Sequence, residues 1–332
     1  VKRNSEMAKK IIIYNVNSYF GGPLVLSALC KTLRELGYDA RVLFNYAFNV
    51  EPQQKKDYER ETKDYLLRQC ISYYVHKLFK RIHFKNNYLL KESPLTKMPG
   101  IKIQRNPFFC RKNTIVIYPE YLYGNPLGAK YVVRWLLYHY KFENVPEAYG
   151  KDDLFVCYRQ IFNSPKLNPF GLELKINYFD RQLYRQYNFG PRSGKCYILR
   201  KGRNRKDLPK SFDGPVFDNN MTQEEVVKMF NEHEYCYSYD TQTFYTTVAA
   251  VCGCKPIVVM EPGKTVEDYL GNNEQVHYGV AYGDSPEQIE YAVKTREKRI
   301  ASLDYSKSNQ DSVKAFVEIL ENKFGKLKKR KI

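Results

Sequence analysis

The chain has 332 residues, 43% of them hydrophobic, and 54 Lys and Arg against 36 Asp and Glu, a formal charge of +18. That length exceeds one ordinary core and fits two domains of roughly 150 residues each. The charge calls for an anionic partner: nucleic acid, nucleotide phosphates or an acidic membrane surface. No stretch approaches the ~20 apolar residues of a membrane span, and Ile11-Ile12-Ile13 is interrupted by Tyr14-Asn15 before reaching signal-peptide length, so a soluble, cytoplasmic protein is expected.

In chain order, Lys10 to Val16 reads as a strand, Gly21-Gly22-Pro23 opens a helix carrying Leu26, Leu29, Cys30, Leu33 and Leu36 at helical spacing, and Ala40 to Phe44 is the next strand. Such a βαβ unit implies a parallel sheet, with ligands at the carboxyl ends of its strands. The dinucleotide fingerprint is missing: only the pair Gly21-Gly22 follows the first strand, and no acid closes the second, which argues against an NAD enzyme. Gly21 and Gly22 read either as a plain helix entry or as a point of close ligand approach.

Residues 55 to 82 pattern as a helix with an aromatic face (Tyr65, Leu66, Tyr73, Tyr74, Leu78). It runs into a basic stretch, 80 to 112, whose single acid is Glu92. The stretch, within an insertion of about 50–112, reads as a solvated segment or as a docking surface for an acidic membrane or lipid-phosphate acceptor. Thr114 to Tyr118 is a strand, a helix is predicted from Leu127 to Tyr140, and a strand follows at Leu154 to Tyr158. Asn, Pro, Gly and Tyr then crowd 160 to 195, marking the crossover between domains.

The second half alternates again. Strands are predicted at Lys195–Leu199, Tyr235–Ser238, Pro256–Met260 and near Gly279–Tyr282; helices at Thr222–Asn231, Thr243–Cys252, Val266–Leu270, Pro286–Ile300 and Ser308–Phe324. The chain ends in Lys326, Lys328, Lys329, Arg330 and Lys331, a frayed basic tail or a second membrane-facing patch. The boundaries expected are 1–165, 166–305 and a C-terminal helix with tail, 306–332.

Cys30, Cys70, Cys110, Cys157, Cys196, Cys236, Cys252 and Cys254 are scattered without a Cys-x-x-Cys pair, which indicates free thiols in a reducing compartment. Cys252 and Cys254 alone supply too few ligands for a metal and read as core residues. None of His76, His83, His139, His233 and His277 has metal spacing, and each reads as structural or exposed.

The richest segment runs from Tyr235 to Val259: a short strand, a loop with Asp240, Thr241 and Thr243, a helix of small residues, Gly253, and a second strand. It sets a helix N-terminus at a strand's carboxyl end, where unpaired N–H groups accept a phosphate; the same threonines fit ordinary capping. Arg200-Lys201-Gly202-Arg203 ends the first strand of that half, placing cations for a diphosphate, or else a solvated turn. Glu261, directly after the buried strand Pro256 to Met260, is placed to accept sugar or ribose hydroxyls or to begin a turn.

This run, Asp240 through Val259 with its Cys-Gly-x-x-Pro-Ile-Val close, resembles the donor-binding half of a GT-B glycosyltransferase. The resemblance implies an α/β fold of two Rossmann-like domains facing a cleft, with a nucleotide sugar held mainly by the C-terminal one. Counting back from Gly253, Asp240 matches the first acid of the retaining pattern, while Val248 stands where the second, ribose-binding acid is expected. The basic pair after the first strand implies diphosphate neutralisation by Arg200, Lys201 and Arg203. No Asp-x-Asp occurs, so no metal or other cofactor is expected, and cations must stabilise the leaving group.

In the first half, Tyr118-Pro119-Glu120, Gly124-Asn125-Pro126-Leu127 and Val132 to Leu137 resemble bacterial polysaccharide glycosyltransferases of the O-antigen and capsule type. That likeness implies Glu120 as general base, a glycan or lipid-linked glycan acceptor, and work at the inner membrane face. The alternative is a basic nucleic-acid-binding protein using some of its 30 tyrosines as stacking platforms. No nucleic-acid recognition motif is visible, so the reading is a transferase without nucleic acid as partner.

Overall fold

A computed structural model of the chain describes residues 8–17, 21–45, 55–79, 95–106, 111–139, 148–270 and 277–330. It divides into two compact units, Val1–Tyr178 with Tyr305–Ile332, and Phe179–Asp304.

The first unit carries β1 (Lys10–Val16), α1 (Gly21–Glu35), β2 (Ala40–Asn45), α2 (Lys55–Phe79), β3 (Thr114–Pro119), β4 (Tyr131–Leu136) and β5 (Leu154–Cys157). Its five strands form one parallel sheet in the order β2-β1-β3-β4-β5. β1 and β3 are almost wholly buried, as expected of central strands covered on both faces. The outer edge of β2 is closed by residues 102–104: Val42 donates to the Lys102 carbonyl at 2.8 Å and accepts from Gln104 N–H at 2.7 Å, which removes an open strand edge.

The predicted helix Leu127–Tyr140 is overturned. Tyr131–Leu136 is β4, paired parallel to β3 and β5. The spacing of Val132, Val133, Leu136 and Leu137 imitates a helical face, but Tyr131, two adjacent valines and Trp135 favour a pleated strand. Burial on both sheet faces produces the same unbroken apolar run. Arg134 occupies the middle of that strand, fully buried. Its Nε donates to Asp153 at 2.7 Å, its two terminal nitrogens to the carbonyls of Leu122 (2.9 Å) and Gly124 (2.6 Å), and the rings of Tyr118 and Tyr149 lie 4.9 and 5.1 Å away.

The second unit holds β6 (Lys195–Ile198), β7 (Val216–Phe217), α3 (Gln223–Glu232), β8 (Tyr235–Ser238), α4 (Tyr245–Cys252), β9 (Lys255–Val258), α5 (Val266–Leu270), β10 (Ala281–Tyr282) and α6 (Pro286–Ser302). Its sheet is also five-stranded and parallel, in the order β10-β9-β8-β6-β7. α3 opens with a capping box between Thr222 and Glu225, worth about 1 kcal/mol. α4 closes on Gly253 at φ 88°, a left-handed position that glycine adopts without Cβ strain. The expectation of an α/β protein with two Rossmann-like domains therefore stands, with β7, like β4, a strand the sequence reading missed.

The first unit extends past the junction expected near residue 165 to Tyr178, because residues 172–177 remain stitched to it. Cys157 N–H donates to Leu172 O, Leu174 N–H to Cys157 O, and Trp135 Nε1 to Leu174 O at 3.1 Å. The last helix, α7 (Ser306–Phe324), returns to the same unit and packs on α1. The basic tail beyond it is not frayed through Arg330: Lys9 N–H donates to Lys326 O, Lys328 N–H to Lys9 O, Asp39 N–H to Lys328 O and Arg330 N–H to Gly37 O, all within 3.0 Å. Leu327 is buried, and Lys329 Nζ sits 3.5 Å from the Tyr38 ring centroid. Lys331 and, from the basic stretch, residues 80–94 and 107–110 lie outside the described residues.

Candidate functional site

The carboxyl edge of the second sheet gathers most of the residues singled out by sequence. Arg200, Lys201 and Arg203 follow β6, Asp240, Thr241 and Thr243 follow β8, and Glu261 follows β9. Parallel strands emit all these loops on one side, the position at which open α/β sheets take ligands.

The turn after β6 is strained and tightly packed. Arg200 has φ 38°, an uncommon value for a side chain other than Gly, Asn or Asp. Its Nε donates to Asn219 Oδ1 at 2.7 Å, and its guanidinium carbon lies 4.8 Å from the centroid of the Tyr245 ring and 5.5 Å from that of Phe217. Tyr245 is the first residue of α4, so the cation stands beside the helix entry. Arg203 donates Nε–H to the Arg200 carbonyl at 2.9 Å and pairs with Asp218 at 2.8 Å. Lys201 is exposed.

Asp240 is buried, 3% exposed. One carboxylate oxygen accepts from Gln242 N–H at 3.3 Å, and Oδ2 is buried without a hydrogen-bond partner among the described residues, an arrangement that costs about 1–3 kcal/mol unless a ligand satisfies it. The helix begins two residues later than predicted, at Tyr245, with Phe244 as cap residue making no side-chain cap bond. Thr243 Oγ1 accepts from Tyr245 N–H at 3.3 Å, and Thr246 Oγ1 donates to the Thr243 carbonyl at 3.0 Å. Thr241 is half-buried in the same loop. Glu261 is exposed; its N–H donates to Tyr269 Oη at 2.8 Å and its carboxylate accepts from that hydroxyl at 3.4 Å.

Arg205, which sequence reasoning passed over, binds these loops together. It donates to Val259 O (2.6 Å), Met260 O (2.9 Å) and Tyr239 O (3.3 Å), and its ring-side neighbour is Tyr239 at 5.3 Å. Asp207 takes Nε–H at 2.9 Å and completes a fork, and this hydrogen bond holds the Asp207 carboxyl below the ordinary carboxylate range. Gly202 is buried beneath the same junction, where a Cβ would overlap the Tyr239 carbonyl. The only trace of this in the sequence is one more cation in a basic run.

Glu120 and the glycine pair belong to the first unit. Glu120 directly follows β3, is buried, and accepts Leu137 N–H at 3.0 Å, while its carbonyl accepts from Tyr149 Oη at 2.8 Å. Gly21 and Gly22 begin α1; a Cβ at Gly21 would meet nothing within 4 Å, and at Gly22 only Leu137 Cδ1 at 3.7 Å, so local packing does not demand glycine there.

A cavity of about 180 Å³ in the second unit lies at the opposite, amino edge of the sheet, lined by Gly253, Lys255, Pro256, Gly279, Ala292 and Arg296 among others. Its arginine is engaged with the end of α4: Arg296 donates to Ala250 O (2.7 Å) and Val251 O (3.1 Å), and Arg192 beside it donates to Cys252 O (2.9 Å), the usual service of cations to a helix C-terminus. The seven described cysteines are all buried and unpaired; Cys110 lies outside the described residues. Burial pushes the thiols of Cys30 and Cys252 up to about 12, so they are inert packing groups. Among the described residues no group of three or more His, Cys, Asp or Glu is arranged so that it could hold a metal ion.

The molecule thus belongs to the class of two-unit α/β proteins with parallel Rossmann-like sheets and a cation-rich loop cluster at one carboxyl edge. No protein-family model matches the chain, and no curated protein matches it. Among solved structures it is similar to "Spinosyn Forosaminyltransferase SpnP" (9% identity, 95% of this chain and 100% of that one, TM-score 0.39). It is also similar to the "Glycotransferase of kitacinnamycin" (10%, 96% and 100%, 0.37) and to "CalG4, the Calicheamicin Glycosyltransferase" (11%, 96% and 99%, 0.33).

Proposed function

We propose that the protein is a metal-independent glycosyltransferase of the GT-B architecture that moves a sugar from a nucleoside-diphosphate donor to a growing cell-surface glycan. The observation that carries this reading is the loop cluster of the second unit. A guanidinium is held over the first residue of a helix, and both the cation and the helix entry favour an anion at that place. A buried aspartate oxygen without a partner sits in the adjoining loop.

In this reading the diphosphate rests against Arg200, Arg203 and Lys201 and the amides entering α4, with Thr241 and Thr243 lending hydroxyls. Asp240 and Glu261 take hydroxyls of the ribose or sugar. Departure of the nucleoside diphosphate carries away the electron pair of the anomeric C–O bond, and the fixed cations stabilise the charge that develops. The first unit holds the acceptor, whose hydroxyl loses its proton as the new glycosidic bond forms; Glu120 is the candidate base.

The test is thermal shift of the full chain with UDP, GDP, CDP and TDP beside the matching nucleosides. Saturable stabilisation of several degrees by one diphosphate is expected, and Arg200→Ala should abolish most of it while leaving the nucleoside response in place. No response to any diphosphate, or equal loss of both responses, would overturn the assignment.

A further inference from the structure

We propose that α2 is a docking helix that lays the first unit on an anionic lipid bilayer. One side of the helix is fastened to the protein: Thr62, Leu66 and Cys70, four residues apart, are buried. The adjoining face is a row of large apolar side chains in solvent. Leu67, Ile71, Tyr74 and Leu78 follow one another at intervals of four, three and four residues and are 40, 55, 40 and 75% exposed, so they line one stripe for three turns. Single exposed apolar residues are ordinary, but a continuous stripe marks an interaction surface.

The charge of the same unit identifies the occupant. Phe179–Asp304 has 17 Lys and Arg against 18 Asp and Glu, whereas the remainder of the chain, which includes α2, has 37 against 18. The whole cationic excess therefore lies in the unit that carries the stripe. Arg60 and Arg68 on the helix are exposed, and Lys63, also exposed, pairs with Glu59 at 2.8 Å. A second copy of the chain would bring like charge against like, and a nucleic acid has no use for an apolar row. An anionic bilayer matches both features, the stripe entering the acyl boundary and the cations lying among the headgroups. No described helix is long and apolar enough to cross a membrane, so the contact is interfacial.

The proposal does not depend on sugar transfer, and its test reads membrane binding alone. The full chain is floated with phosphatidylcholine vesicles and with vesicles containing about one third phosphatidylglycerol at about 0.15 M salt. Binding is expected to the anionic vesicles only, and the double substitution Ile71→Glu with Leu78→Glu should lower partition roughly tenfold or more while the melting temperature stays within about 2 °C. Should that pair unfold the chain, Leu78→Ser alone, at the most exposed position, is used and should still weaken binding. Undiminished flotation of a folded variant, or equal binding to neutral vesicles, would overturn the proposal. So would a dimer in sedimentation equilibrium that the substitutions dissociate, or binding to single-stranded DNA that persists after vesicle binding has been lost.

Discussion

The guanidinium of Arg200 is stacked 4.8 Å from the ring of Tyr245, so a cation after β6 is tied to the first residue of α4, the helix that follows β8. The contact spans 45 positions of sequence and costs a backbone in the left-handed region at φ 38°, a strain of about 1–3 kcal/mol that persists only where the surroundings over-determine it.

That strain separates binding from stability at one residue. Arg200→Gly should keep or raise the melting temperature, since glycine tolerates positive φ, yet lower diphosphate affinity roughly tenfold, the loss of one charge-assisted contact. Calorimetric titration beside thermal unfolding checks both; an Arg200→Gly protein that binds as tightly as the parent removes the residue from the site.

Arg205 positions the loops that carry Asp240 and Glu261. Arg205→Lys retains charge but loses the fork that reaches the Tyr239, Val259 and Met260 carbonyls and Asp207 together. A folded protein with affinity for diphosphate reduced about tenfold is expected by titration, with nucleoside affinity falling in step, because the displaced loops serve both ends of the ligand.

The partner of that fork sets a pH dependence. The Arg205 hydrogen bond depresses the Asp207 carboxyl, so its contribution is present above the ordinary carboxylate value of about 4 and is lost as pH falls through the depressed one. In urea unfolding, the difference between parent and Asp207→Asn should be constant from about pH 5 to 8 and shrink below about pH 4. A difference that grows on acidification contradicts the pairing.

Glu120 has a latch whatever else it does. Glu120→Gln keeps an oxygen to accept Leu137 N–H but cannot take a proton at neutral pH. Unchanged stability with transfer slowed at least about a hundredfold is expected if it is the base; normal turnover by the glutamine variant confines it to the latch.

Arg134 and Asp153 form an almost fully buried pair at 2.7 Å. Removing one partner leaves a charge uncompensated, so Asp153→Ala should cost about 3–5 kcal/mol in denaturant unfolding. A loss below about 1 kcal/mol would mean that the two carbonyls and two rings alone suffice for the arginine.

The alternation of strands and helices, the βαβ entry, the free thiols and the clustering of Arg200, Arg203, Asp240 and Thr243 at one sheet edge were all legible in the sequence. Each depends on local periodicity, on residue chemistry, or on the rule that parallel strands emit their loops on one side. Local pattern failed at Leu127–Tyr140, where a strand buried on both faces and an amphipathic helix show similar apolar spacing, and only pairing with β3 and β5 decides between them. Pairing likewise claimed the basic tail, since Lys326 to Arg330 find backbone partners at Lys9, Gly37 and Asp39, near the other end of the chain. The loop-binding role of Arg205, the unpartnered oxygen of Asp240 and the apolar stripe left on the outside of α2 belong to the same class. Hydrogen-bond partners and burial are set by what the folded chain brings alongside, and composition and spacing carry no record of it.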